Sequence, residues 1–420
     1  MTNSEVSGDP SSDTAGRRRT HIVELAIPSA AELRDATDAA GTLQPSWVFR
    51  GIKEAVRAEQ LNLLGHTDFV TPEASSIARF PLQEYKHLRY LVALSSPPAA
   101  TIGTSSLGLP LVPTVALPGA PGGDPVTVLG YVLAMASKSD NTHLLELDGA
   151  IHPDHVDSGA DEALWEQSLR VAAELERRTV ITYQSQRFDG LEDPADLMPP
   201  TGFGRLHRDR SVAAQLSKGF ELQQCERLSM MTVPEDAPIE EWIGAARSKA
   251  GEQYRATIWH GATPDHLQDD LAELFRRMSV DVPTGELEYE EEVWDAERVR
   301  ARDADATAGG HVLLTTLIHD ADGHPAAFSI LEIPIDAAGF AYQNETLVHG
   351  EHRGRRLGLL AKALNLQALM VFRPDVQRIH TWNAGENRHM LAINDEMGFR
   401  PTGWEGLWQL RLSPGDTTIG

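Results

Sequence analysis

The sequence predicts an α/β (α+β) protein made of two tandem copies of one fold, each a mixed, mostly antiparallel central sheet flanked by helices. Three observations predict it. Short apolar runs with strand character alternate with helical periodicities along the chain. Two short stretches recur in the same order. Ile151-His152-Pro153-Asp154-His155 parallels Val348-His349-Gly350-Glu351-His352, each ending a strand and leading into a helix; Gly219-Phe220 followed by Glu226-Arg227-Leu228 parallels Gly398-Phe399 followed by Glu405-Gly406-Leu407 at the same spacing. The length of 420 residues suits two or three domains. The expected division is a disordered start at 1–19, a first copy at 20–235 and a second at 236–420.

The elements follow in order. Residues 1–19 are polar and close on Arg17-Arg18-Arg19, too few apolar groups to bury. Residues 22–27 read as a strand; the stretch contains Glu24 and is too short for the apolar core of an export signal. Ser29 opens a helix, with Glu32 completing a capping box, and 48–64 continues helically. Strands at 90–94 and 126–136 flank a loop at 95–125 rich in Pro, Gly and Ser. A strand at Leu144–Ile151, a helix at 162–178, a strand at 180–183, a short helix at 211–218 and an extended run at 220–233 complete the first copy. Residues 234–238 mark the boundary and Ile239–Ala250 a linking helix. A strand at 255–259 precedes a helix at 265–278, whose Leu267, Leu271, Leu274, Phe275 and Met278 share one helical face. A very acidic helix is expected at 290–302. Strands at 312–318 and 326–333 are joined by Asp320-Ala321-Asp322-Gly323, strong hairpin chemistry. The chain ends with a strand at 342–348, helix Leu357–Phe372, a strand at 378–382, a helix at 387–397 and a strand at 403–412.

Charge and cysteine usage narrow the function. The formal net charge is −24, so the surface repels phosphate backbones and nucleic acid is not expected as a partner, whereas a cationic or amine substrate is attracted. Cys225 is the single cysteine. That excludes a disulfide framework within one chain and a clustered thiolate metal site; no metal is expected, and Cys225 reads as a small buried hydrophobe. No apolar run approaches the ~20 residues that span a bilayer. The expectation is a cytoplasmic protein without a membrane partner.

The stretch that carries chemistry is Thr346-Leu347-Val348-His349-Gly350-Glu351-His352-Arg353-Gly354-Arg355-Arg356-Leu357-Gly358. It passes from a strand through a turn rich in Gly and Arg into a helix. The first N–H groups of a helix have no internal partner and carry partial positive charge, so they suit a diphosphate. Glycines permit close approach and arginines add charge-assisted contacts. A solvated helix start is the structural alternative.

This stretch resembles motif A of the GNAT acetyltransferases, through Arg353, Leu357 and Gly358. Arg356 departs from it, standing where the pattern has Gly. Downstream, Ile379-His380-Thr381-Trp382-Asn383-Ala384-Gly385-Glu386-Asn387 and the run from Met390 to Gly398-Phe399 resemble the next strand and helix of that family. The chain is thus similar to a tandem GNAT protein of mycothiol-synthase-like architecture with a degenerate first copy.

The resemblance implies an N-acetyltransferase that uses acetyl-CoA. It implies that the backbone of Leu347, Val348 and His349 pairs with pantetheine, that the Val348 N–H stabilises the oxyanion, and that Arg353, Gly354, Arg355, Arg356, Leu357 and Gly358 hold the pyrophosphate. Asn383 and Asn387 stand at the mouth of the cleft as partners for the pantetheine amides; for Asn387, at a helix start, capping is the alternative. The family often places an acidic Tyr at the position of Asn394, so a water, His349 or His380 would have to supply that proton. Glu345 is the candidate base, with Glu332 as a second. Alternation puts Glu345 opposite Val348 unless a bulge intervenes, with Asn344 and Thr346 on the face of Val348.

In the first copy the equivalent turn is His155-Val156-Asp157-Ser158-Gly159-Ala160-Asp161. It lacks arginine and brings two carboxylates, which repel a diphosphate; tight cofactor binding is not expected there. Three functions remain in competition: transfer of acetyl to a small primary amine, non-catalytic acyl-CoA binding, and an aminoacyl-tRNA-dependent transfer that the acidity disfavours. The acidic run 288–297 is a further place to gather a cation.

Overall fold

The computed structural model describes residues 20–117, 126–188, 193–234, 237–336 and 339–413. The start at 1–19, the end of the loop at 118–125 and the boundary at 235/236 lie outside them.

The first half supplies β1 (His21–Leu25), α1 (Ala30–Asp35), α2 (Trp47–Leu63), α3 (Glu73–Arg79), β2 (Lys86–Leu94), β3 (Gly103–Thr104), β4 (Pro110–Val112), β5 (Val128–Ser137), β6 (Leu144–Ile151), α4 (Ala160–Glu174), β7 (Thr179–Arg187), α5 (Arg210–Ser217) and β8 (Glu221–Thr232). The second supplies α6 (Ile239–Ala250), β9 (Arg255–His260), α7 (Gln268–Asp281), α8 (Ala296–Ala308), β10 (His311–His319), β11 (Pro325–Pro334), β12 (Phe340–Val348), α9 (Leu357–Phe372), β13 (Arg378–Ala384), α10 (Arg388–Met397) and β14 (Arg400–Arg411). The fold is the expected mixed, mostly antiparallel sheet flanked by helices, present twice.

The strands of both halves join in one sheet, ordered β3-β4-β1-β2-β5-β6-β7-β14-β8-β13-β12-β11-β10-β9. Its centre is an exchange: β14, from the end of the chain, inserts between β7 and β8, and β8 passes beyond it to pair with β13. Two of the parallel pairs, β6 with β7 and β12 with β13, mark the equivalent place in each half; a third, β1 with β4, lies near the edge of the sheet.

Alternation along the strands builds a core on each side. In β11, Ala327, Leu331 and Ile333 pack under α6 and α9, whereas Phe328 and Ile330 pack under α7 and α8. In the first half α4 covers the side shared with α9, and α2 and α3 cover the side shared with α7 and α8. Buried Phe, Ile and Leu side chains contribute about 1.5–3 kcal/mol each.

Three local expectations change. The helix expected at 290–302 starts only at Ala296, with Asp295 as its N-cap accepting from the Arg298 N–H at 2.8 Å. The preceding acidic residues run extended because their amides are bonded elsewhere: Glu288 N to Gln409 Oε1 (2.8 Å), Glu290 N to Asn141 Oδ1 (2.7 Å) and Val293 N to Asp140 Oδ2 (3.0 Å). Glu288 pairs with Arg411 and Glu292 takes the Trp294 indole N–H. The 95–125 loop carries β3 and β4, and α3 follows Pro72 where no helix was expected. Among the described residues no helix is long and apolar enough to cross a membrane.

Candidate functional site

The site begins where β12 and β13 part. They pair only at 340–342 against 378–380. Thr381 Oγ1 still reaches Gln343 O at 3.1 Å, and beyond it a cleft of about 470 Å³ opens, lined by Gln343, Asn344, Glu345 and Thr346 on one side and Trp382, Asn383 and Ala384 on the other.

A bulge lies in the same place: two steps along β11, Ser329 to Leu331, match three along β12, Thr346 to Gln343. Gln343 Nε2 therefore shares a face with Thr346 and bonds Ser329 Oγ at 3.1 Å. Asn344 donates to Glu332, and Glu345 accepts from Arg302 of α8 at 2.8 Å. Both point to the α8 side. Thr346 stays with Val348, but Asn344 does not, because the bulge breaks the alternation that would have put it there.

The register also sorts the backbone groups. His349 N donates to Ala326 O at 2.9 Å, which makes Val348 and Ala327 a non-hydrogen-bonded pair. The Val348 N–H therefore points away from β11, into the cleft. Leu347 falls on the hydrogen-bonded pair with Phe328, and both backbone groups of His349 are used, its carbonyl by His352 N at 2.9 Å. Leu347 and His349 thus have no amide proton left for a ligand, in contrast to the expectation, because an antiparallel ladder leaves only alternate residues open.

From β12 the chain makes a single 3-10 turn at Gly350–His352, capped by His349 Nδ1, and enters α9. Gly354 has φ +77°. Arg356, the N-cap, sits at φ 60°, ψ 23°, the left-handed region where L side chains cost roughly 1–2 kcal/mol. Among the described residues, the amides of Gly354, Arg355, Arg356, Leu357 and Gly358 have no acceptor. The side chains fold outward: Arg353 to Asp281 (2.8 Å) and to the Val348 carbonyl (3.3 Å), Arg355 over the Tyr254 ring, Arg356 to Glu396 of α10. At Gly358 an added Cβ would lie 3.1 Å from Ile393 Cδ1, so glycine lets α9 approach α10. The turn is an open nest of amide donors beside the split strands. A diphosphate with an extended arm fits that donor set.

No family profile matches the sequence, and no curated protein does. Solved structures match it by shape. A tandem GNAT protein from the clavulanic acid biosynthesis pathway, solved without acetyl-CoA, superposes with a TM-score of 0.65 and 18% identity over 94% of this chain and 99% of that one. A GCN5-related N-acetyltransferase from Sphaerobacter thermophilus superposes with a TM-score of 0.51 and 14% identity over 94% and 96%. The chain has the tandem GNAT fold.

Within this tandem GNAT fold the cleft draws on both halves. Phe69, Thr71 and Arg79 of the first half, with Glu226 of β8, line it together with His311, Glu332, Tyr342 and Lys362 of the second. Burial alone would raise the Glu332 carboxyl, but the His311 hydrogen bond and the charges of His311, Arg79 and Arg302 hold it below the usual range. Burial, then the carboxylates of Glu405 and Glu386, push Glu226 up to about 8. Sequence reasoning missed Glu226, Arg79 and Lys362. The first two reach the cleft only through the strand exchange and α3; the third carried a signal, a lone charge in an apolar helix.

His380 is not a cleft group. Its Nε2 lies 2.7 Å from Asp68, which Arg378 also holds, so it braces the two halves. His349 caps the turn. Asn387 lines the cleft and also caps α10, accepting from Met390 N at 3.3 Å. Asn383 Oδ1 accepts from Asn394 Nδ2 at 2.6 Å. Cys225 is fully buried and its thiol is pushed up to about 12 by burial and by Glu386.

Proposed function

We propose that the chain transfers an acetyl group from acetyl-CoA to a primary amine of a small molecule, by direct attack with both substrates bound. The carrying observation is the row of unpartnered amides from Gly354 to Gly358 at the start of α9, beside the split between β12 and β13. Acetyl-CoA, when bound, supplies an activated thioester. Gly354, Arg355, Arg356, Leu357 and Gly358 hold its diphosphate through their N–H groups, with Arg353 adding charge. Thr346 and Val348 present open backbone groups to its arm, and the Val348 N–H stabilises charge that develops on the carbonyl oxygen, a contact worth on the order of 3 kcal/mol. Asn383, on the facing strand, and Asn387, at the cap of α10, orient the arm.

The acceptor enters from the side of Arg79, Glu226 and Glu332. Carboxylates at Glu332 and Glu345 draw in a cationic amine, and Glu345, on the bulge, takes its proton so that the neutral nitrogen can attack. The acidic surface disfavours nucleic acid and supports a small cationic acceptor. Release of free thiol from acetyl-CoA with a panel of amines tests this reading. Transfer with at least one small amine is expected; tight acetyl-CoA binding without transfer to any of them would leave a non-catalytic acyl-CoA-binding protein.

A further inference from the structure

Lys362 lies in the middle of α9, between Ala361 and Ala363, and is 2% exposed. Its Nζ donates to Asn394 Oδ1 at 2.7 Å, and the Phe399 ring centre is 5.8 Å away. Asn394 is 0% exposed and passes the chain of bonds on to Asn383. Among the described residues no carboxylate forms an ion pair with this lysine. A buried ammonium held by one neutral amide keeps donor capacity unspent, an arrangement that folding alone disfavours. Lys362 nevertheless lines the cleft, at the split between β12 and β13, together with Thr346, Asn383, Asn387 and Met390. The first half has Trp165 at the equivalent position of α4, thirteen residues beyond His152 as Lys362 is beyond His349.

An anion arriving in the split would complete this site, and acetyl transfer creates one there. We propose that Lys362 is the proton donor to the departing coenzyme A thiolate; this rests on the reading that the split holds acetyl-CoA. The amine nitrogen forms a C–N bond to the thioester carbonyl carbon. The C–S bond breaks with its electron pair on sulfur, and the Lys362 ammonium passes one proton to that sulfur. The nitrogen loses one proton through the cleft carboxylates to solvent, and solvent returns one to Lys362. Asn394 aims the Nζ. Burial pushes the lysine down to about 7, so the proton is transferable near neutrality. The titratable groups sharing its cleft are Arg79 of α3, Glu226 of β8, His311 of β10, Glu332 of β11, and Tyr342 and Glu345 of β12; α10 and β13 face it with the neutral Asn394 and Asn383.

The test needs no acceptor. Coenzyme A bound to the full chain is titrated by the ultraviolet absorbance of its thiolate, in the wild type and in Lys362→Met. An adjacent ammonium favours the thiolate, so the bound thiol is expected to ionise about one pH unit or more below free coenzyme A, about a tenfold shift, and to lose that shift in K362M. An unchanged shift in K362M overturns the role of Lys362, whereas failure of the wild type to bind coenzyme A overturns the cosubstrate reading instead. If K362M does not fold, the Lys362 ε-carbon is titrated by NMR in the wild type. Coenzyme A is expected to raise the lysine titration and desulfo-coenzyme A to leave it unmoved; equal responses contradict the proposal.

Discussion

The turns at 152–160 and 349–357 begin and end alike and differ in between. Each begins with a histidine whose Nδ1 accepts an N–H two residues on, His152 from Asp154 at 3.2 Å and His349 from Glu351 at 3.4 Å. Each makes one 3-10 turn and then places a left-handed residue before the helix, Gly159 at φ +79° and Arg356 at φ +60°. In each the parallel strands part just before the turn. In the second half the residues between are Arg353, Gly354 and Arg355, and the amides stay open. In the first half Asp157 pairs with Arg210 at 2.6 Å, and Asp161 with Lys218 at 2.7 Å. The aspartates expected to repel a diphosphate are thus satisfied from α5 and its C-cap. The backbone differs with the side chains: Val156 stays helical at ψ −21° where Arg353 is extended at ψ 158°, of the residues between Gly354 alone turns left-handed at φ +77°, and the Ser158 and Ala160 amides are already taken by His155 O and Ser158 Oγ.

The largest expected difference between the halves lies in the helices behind the turns. Lys362 titrates near 7 in the folded chain, below its unfolded value. Between those values the unfolded chain binds more protons, so this stability is complete above the ordinary lysine range and is lost as pH falls to about 7. Relative to wild type, K362M should gain on the order of 4 kcal/mol between pH 10.5 and 7, measured by denaturant unfolding; a Trp165 variant should show no such trend. A pH-independent difference for K362M would place the ammonium in water.

Next, Gly354→Asp copies Asp157 into the second turn and should weaken coenzyme A binding by about 100-fold, roughly 2.7 kcal/mol, read by calorimetry; because Gly354 has φ +77°, a stability loss of about 1 kcal/mol should accompany it. A smaller contrast concerns the left-handed residue. Gly159→Ala should destabilise by about 1 kcal/mol. Arg356→Gly should stay within about 0.5 kcal/mol, because relief of strain is offset by the lost Glu396 pair and a looser unfolded chain. Smallest of all, Asp157→Ala removes an exposed pair and should leave both melting temperature and coenzyme A affinity unchanged.

Much of this comparison is legible in the sequence, and the reasons are local. The helix Leu357–Phe372 and the strand Leu144–Ile151 follow from runs bounded by turn residues, and the Ser29–Glu32 capping box forms as read. The arginine-glycine turn announces its amides. The strand exchange that places β14 between β7 and β8 leaves no local trace, because each strand carries the same alternation whichever half it pairs with. Glu226 was invisible as a cleft residue for that reason, and Arg79 because it stands on α3, where no helix was expected. The start of the 290–302 run read as helix because Asn141 and Asp140, which accept the Glu290 and Val293 amides, come from the other half. The bulge at Asn344–Glu345 shows only in the register against β11.

The most direct measurement is the stoichiometry of coenzyme A binding to the full chain by calorimetry. One site per chain, weakened about 100-fold by G354D and indifferent to Asp157→Ala, is the predicted result. No heat of binding, two equivalent sites, or a single site that G354D does not weaken would contradict the assignment of the ligand to the second turn.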